Sequence, residues 1–165
     1  MWGSGMSVGV AMFDARGAHD VLSRAAHTVF DQFATVLDEP ADDLHGFWRD
    51  TCLLGCSCFR GPIGGMVSIV APRRLCESMV SGMAGCDECA EEFEQITASV
   101  LGELANMIAS QVALSLEPVE TVRMTPPTVE ESTYDDWVTL DGSRDRVRLN
   151  VGGWPLLALL SLNAA

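Results

Sequence analysis

From Ala18 to Leu37 apolar residues return at helical spacing. Leu22, Ala25, Ala26, Val29, Phe30, Phe33, Val36 and Leu37 share one face when each residue turns by about 100°. This predicts an amphipathic helix, ended by Glu39-Pro40 because proline disfavours helical geometry in the residue before it. An acidic turn, Pro40 to Asp43, follows, and the period then changes. Arg49 to Phe59 reads as a strand, Arg60-Gly61-Pro62 breaks it, and Gly64 to Val70 reads as its hairpin partner. Ala71-Pro72 opens a short helix with proline at the position where its missing N–H is tolerated. Its inner face carries Leu75, Met79, Val80 and Met83, and Gly82 and Gly85 close it. A long helix is expected from Asp87 to Leu116. Asp87, Glu88, Glu91 and Glu92 complement its N-terminal dipole, and Pro118 stops it. Strands are expected at Val119 to Thr125, Trp137 to Leu140 and Asp145 to Val151, with Asp141-Gly142 as a hairpin turn between the last two. The apolar run Trp154 to Leu162 reads as a central strand or as an edge strand covered by a partner.

This order predicts an α+β fold in two layers, a largely antiparallel sheet carrying two long helices and one short helix. Residues 1–17 form a loosely structured N-terminal segment or an edge strand, and 18–165 a single domain with no internal repeat. The length of 165 residues and a hydrophobic content of 48% supply an ample core.

Charge narrows the partners. Asp and Glu number 23 against 10 Lys and Arg, a formal charge of -13, which repels phosphates at long range. Nucleic acid and anionic membrane are therefore disfavoured. No continuous apolar run reaches the roughly 18 residues of a membrane span. The first residues lack the basic start of an export signal, so a cytoplasmic location is expected.

The six cysteines read chiefly as reduced thiols. Cys52, Cys56 and Cys58 alternate along the first strand, and with Leu54 they read as a core face. Cys86 and Cys89 form a C-x-x-C at a helix start, where a thiol can acidify. Asp87, Glu88, Glu91 and Glu92 oppose the thiolate there, and His19, His27 and His45 offer no ligand spacing for zinc. No metal ligand is assigned. Met66, Met79, Met83 and Met107 read as core fillers.

The candidate chemistry lies in the long helix, in SVLGELANMIAS. Ser99, Glu103, Asn106 and Ser110 fall on one narrow stripe, extended by Glu92 and Gln95 toward the helix start. Phe93, Thr97, Val100, Leu101, Leu104 and Ile108 form a separate face that can bury. Glu103 and Asn106, at i and i+3, are neighbours on the helix surface. Together they offer an acceptor for a cation and a carboxamide able to hold a water. The same stripe could also be no more than a solvated helix face.

Ser99, Glu103, Asn106 and the later Pro126-Pro127 pair resemble the signature of the CheC/CheX/FliY family of response-regulator phosphatases. The element order over residues 18–162 is similar too. The first helix lacks an E-x-x-N, so the resemblance is to the single-site CheX type. It implies a CheX-like fold, a phosphorylated CheY-like receiver domain as partner, and hydrolysis of that receiver's aspartyl phosphate in chemotaxis or related two-component signalling. It further implies that Asn106 orients the attacking water and that Glu103 docks the receiver's lysine. Ser99 would support the helix surface, with Ser110 beside it. The Mg2+ would belong to the receiver, and the chain would carry no cofactor of its own. Members of the family also suggest a homodimer joined through the sheet. The rival readings are a non-catalytic CheX-like module binding a receiver domain or flagellar switch component, and a metal- or redox-sensing module built on Cys86 and Cys89.

Overall fold

The structure of the protein is a computed structural model that describes residues 15–37, 51–83, 90–116, 122–143 and 145–163. The expected turn at Pro40 to Asp43, and Cys86, Cys89 and Pro118, lie outside these residues, as does most of the segment 1–17.

Helix α1 spans Ala15–Phe30 and starts inside the segment expected to be loose. Its buried residues, Val21, Leu22, Ala25, Ala26, Val29 and Phe30, keep the predicted spacing. The helix does not run on to Leu37. Its last carbonyl, Phe30 O, accepts from the amides of Phe33 and Ala34, and Val36–Leu37 become a short strand, β1. Tertiary pairing accounts for the change, because β1 is hydrogen-bonded antiparallel to β6 (Arg146–Val151), with Val36 opposite Val151.

Strands β2 (Cys52–Arg60) and β3 (Gly64–Pro72) form the expected hairpin. Helix α2 (Arg73–Met83) follows, and Leu75, Met79 and Val80 are buried on its inner face. Helix α3 (Ala90–Leu116) is long and apolar enough to cross a membrane by length and composition alone. Its apolar face instead packs on the sheet, where Leu101, Leu104, Ala105, Ile108, Ala109, Val112 and Ala113 join the central core.

After α3 the expected strands differ from the structure in three places. Within Val119 to Thr125 only β4 (Arg123–Met124) is a described strand, and β5 (Thr128–Ser132) continues the same edge beyond the prolines. Trp137 to Leu140 is not a strand but part of helix α4 (Tyr134–Asp141). The cause is local: the Thr133 hydroxyl accepts from Asp136 N at 3.2 Å while the Asp136 carboxylate accepts from Thr133 N at 2.9 Å, a reciprocal cap that starts a helix. Asp141-Gly142 then ends α4 rather than turning a hairpin. The hairpin turn is Gly152-Gly153, between β6 and β7 (Trp154–Asn163). Both glycines have positive φ, 59° and 89°, as a two-residue turn of this hand requires.

The strands form one antiparallel sheet in the order β1-β6-β7-β3-β2, with β4 and β5 both paired to the far side of β2. Strand β7 lies inside the sheet, so its apolar run is a central strand and not an edge. Helices α1 and α3 cover one face. On the other face Trp137 of α4 packs with Cys52, Val70 and Leu157. Asp141 ties the end of α4 to β6, with its carboxylate 2.9 Å from Arg146 Nε and hydrogen-bonded to the Arg148 guanidinium.

The two faces of β2 are reversed relative to the sequence reading. Leu53, Gly55, Ser57 and Phe59 are buried, the side under α3, whereas Cys56 and Cys58 are half-buried on the opposite face. Only Cys52, beneath Trp137, and Cys76, in α2, are buried thiols among the described cysteines.

Replacing Trp137 with Ala removes the anchor of the second face and is expected to cost about 3–5 kcal/mol. It should appear as a lower denaturant midpoint at unchanged m-value. The hydrogen bonds from Thr133 lower the Asp136 pKa below its ordinary 3.8. A carboxyl with a depressed folded pKa contributes stability that is full above the unfolded value and fades as pH falls through the folded one. Asp136→Asn should therefore weaken the loss of stability below about pH 4, measured as the thermal midpoint against pH.

Candidate functional site

The site begins where α3 meets β2. A Cβ on Gly55 would lie 3.1 Å from Leu101 Cγ and 3.2 Å from Leu101 O, so the absence of a side chain lets the helix settle onto the strand. Two residues along the same side of β2 stands Ser57, only 1% exposed. Its hydroxyl donates to Oδ1 of Asn106 at 3.0 Å. A buried hydroxyl on this otherwise apolar floor needs a partner, and the helix supplies it.

A second close approach fixes the flank of the helix. A Cβ on Gly102 would meet Val129 Cγ2 at 3.2 Å and Pro127 Cβ at 3.4 Å. Gly102 and Asn106 lie one helical turn apart on one side of α3. The edge that Gly102 touches is interrupted. Met124 pairs with Phe59, and Thr125 donates from both N and Oγ1 to Cys58 O, at 3.0 and 3.2 Å. Pairing resumes with Thr128 opposite Cys56. Pro126 and Pro127 thus stand together opposite Ser57, one residue in excess, as in a bulge. Prolines fit there because they have no N–H to give the ladder and the strand is an edge. The proline pair, Ser57 and Asn106, distant in sequence, meet at one seam between helix and sheet.

Every residue singled out on the α3 stripe lies in the described helix. Glu103 is exposed and takes part in no ion pair among the described residues, leaving its carboxylate available. Asn106 and Ser110 are half-buried. Ser99 is exposed and donates its hydroxyl to Gln95 O at 2.8 Å, a bond within its own helix. Two apolar residues, Met107 at 37% and Leu114 at 66% exposure, continue the stripe toward the helix end. Met107 is therefore not the core filler its composition suggested. Arg73 is engaged elsewhere, 2.6 Å from Glu131 and 3.7 Å from Glu94.

Ser57 was not legible from the sequence as a site residue. The signal was a lone hydroxyl on one alternating side of β2, but the cysteines on the other side read as the core face, which pointed Ser57 away from α3.

This stripe is a convex helix surface. Two grooves lie beside α4, the larger of 330 Å³ between Met66, Ser68, Leu140 and Leu159, and neither is lined by an α3 residue. Among the described residues no group of three or more His, Cys, Asp or Glu could hold a metal ion. Burial pushes the Cys76 thiol up to about 12 and raises that of Cys56, so neither supplies a thiolate near neutral pH. What the stripe offers is an exposed carboxylate with no ion pair among the described residues and an amide whose oxygen accepts from Ser57, on a helix surface that a macromolecular partner can reach.

Residues 53–135 match the family model described as chemotaxis phosphatase CheX. That segment contains Ser57, Ser99, Glu103, Asn106, Ser110 and both prolines. No curated protein sequence matches the chain. Among solved structures it is similar to a CheX from Borrelia burgdorferi in a CheX-CheY-BeF3-Mg2+ complex, at 14% identity and a TM-score of 0.61, over 92% of this chain and 99% of that one. A CheX from Vibrio vulnificus gives 14% identity and 0.61 over 91% and 99% of the two chains. A CheX from Desulfovibrio desulfuricans gives 16% and 0.59 over 88% and 99%. At these identities the likeness is one of fold.

The tight seat at Gly102 predicts that a bulky side chain there forces α3 and the proline edge apart. Gly102→Leu should cost about 1–3 kcal/mol by overpacking, read as a fall in the denaturant midpoint.

Proposed function

The chain belongs to the CheX family of chemotaxis phosphatases, and from that membership we propose that it hydrolyses the aspartyl phosphate of a CheY-like receiver domain. The single observation that carries the assignment to particular residues is Asn106, an amide held by Ser57 at the seam of α3 and β2 beside Glu103, whose carboxylate has no ion pair among the described residues.

The chemistry suits such a pair. A water oxygen attacks phosphorus in line, the bond between phosphorus and the aspartyl oxygen breaks, and the aspartate leaves as a carboxylate. Inorganic phosphate and a proton are released. Phosphoryl transfer of this kind needs positioning and charge neutralisation more than a covalent nucleophile. A carboxamide does not titrate near neutral pH, so Asn106 orients the water without taking its proton. Glu103 accepts a charge-assisted hydrogen bond from the receiver's lysine and sets the register of the two proteins. The Mg2+ that neutralises the phosphoryl oxygens belongs to the receiver. Met107 and Leu114 give the partner an apolar ledge along the same helix. A receiver domain sets the reaction in the cytoplasm.

Two variants test this. With a phosphorylated CheY-like receiver and Mg2+, the wild-type protein should accelerate phosphate loss. Asn106→Ala should remove about 100-fold or more of that acceleration, the scale of a lost positioning group. Glu103→Gln should chiefly raise KM, because it weakens docking rather than the attack itself. Full activity in Asn106→Ala would overturn the residue assignment. A wild-type protein that binds the phosphorylated receiver without hastening phosphate loss would make it a binding module.

A further inference from the structure

We infer that Ser57 is the positioning residue for Asn106, an inference that rests on the function proposed above. Ser57 sits among Leu53, Gly55 and Phe59 on the α3 side of β2, with Val67 opposite on β3, and the flanking Leu53, Phe59 and Val67 are buried and apolar. The Ser57 hydroxyl is itself buried, and its hydrogen bond reaches across 49 residues of sequence to the Asn106 amide on the stripe.

The consequence for Asn106 is geometric. A terminal carboxamide turns easily about its last torsion, and in water its oxygen and nitrogen exchange places at little cost. The Ser57 hydroxyl removes that freedom by donating to Oδ1. The nitrogen, with its two donors, is thereby directed away from Ser57, and one lone pair remains on the oxygen. The amide reaches the receiver with its orientation already chosen, so that ordering it is not charged to the transition state. Pro126 and Pro127 stand opposite Ser57 across the edge of the sheet and give that position a rigid neighbour. Ser57 touches no substrate. It acts through Asn106.

Activity and spectroscopy test this separately. In Ser57→Ala, kcat for a phosphorylated CheY-like receiver should fall about ten-fold with KM unchanged, the size of one net hydrogen bond. Ser57→Thr keeps the hydroxyl and should retain kcat. In the Asn106→Ala background the Ser57→Ala change should have no further effect on kcat, because the group it positions is gone. A purely structural role predicts instead the same loss in both backgrounds, following the fall in thermal midpoint.

The second measurement needs no activity. The Asn106 side-chain NH2 should be rigid by its 15N heteronuclear NOE in the wild type, mobile in Ser57→Ala and rigid again in Ser57→Thr. Wild-type kcat in Ser57→Ala while Asn106→Ala is inactive would overturn the inference and leave the proposed function standing. An Asn106 amide equally mobile in the wild type and Ser57→Ala would overturn it whatever the activity. A rigid wild-type amide released by Ser57→Ala, in a protein that does not hasten phosphate loss, would support the contact and count against the phosphatase reading alone.

Discussion

How closely α3 can lie against β2 governs the rest of this structure. The helix contributes a long run of core residues from Leu101 to Ala113, and they bury only if its axis comes close to the sheet. Gly55 permits that approach at Leu101, and Gly102 permits it against Pro127 and Val129. Since apolar burial scales with the area removed from water, these two missing side chains let a large part of the hydrophobic stabilisation be realised. They also set the depth at which Asn106 meets Ser57. The packing that stabilises the fold and the contact that orients the amide are thus products of one approach distance.

The same approach organises the sheet's edge. Strands β4 and β5 are two pieces of a single edge, divided where Pro126 and Pro127 face Ser57. A proline pair in a central strand would leave ladder acceptors unsatisfied, while at an edge the loss falls on groups water can reach. On the far face, Trp137 and the Asp141 carboxylate with Arg146 and Arg148 hold α4 against the strands. That keeps α4 away from the stripe, on which Ser99, Glu103, Met107 and Leu114 are exposed.

An open, convex site suits the proposed reaction. A small-molecule enzyme encloses its substrate, but a protein that acts on an aspartyl phosphate within a receiver works on a centre that the receiver already encloses. It need bring only what the receiver lacks: an oriented amide and a carboxylate to fix register. The formal charge of -13 repels anionic groups at long range, so specificity for the proposed partner falls to short-range geometry at the seam between α3 and β2.

Local spacing was enough to determine the helices α1, α2 and α3, the β2–β3 hairpin and the common stripe of Ser99, Glu103, Asn106 and Ser110, because a helix or strand period is written into neighbouring residues. The capping signal Thr133-x-x-Asp136 was equally local, yet Trp137, Val138 and Thr139 also favour strands, and one pattern masked the other. Tertiary structure alone decided that Val36–Leu37 leave the helix, since their partner strand β6 lies far along the chain. It also decided which side of β2 faces α3. Alternation defines two faces but gives neither a direction, and a side of Cys52, Leu54, Cys56 and Cys58 competes as core with one of Leu53, Gly55, Ser57 and Phe59. The choice required α3 to be in place, with room at Gly55 and a hydrogen-bond partner for Ser57. A periodic sequence specifies which residues lie together, whereas only the packed neighbour specifies which way they point.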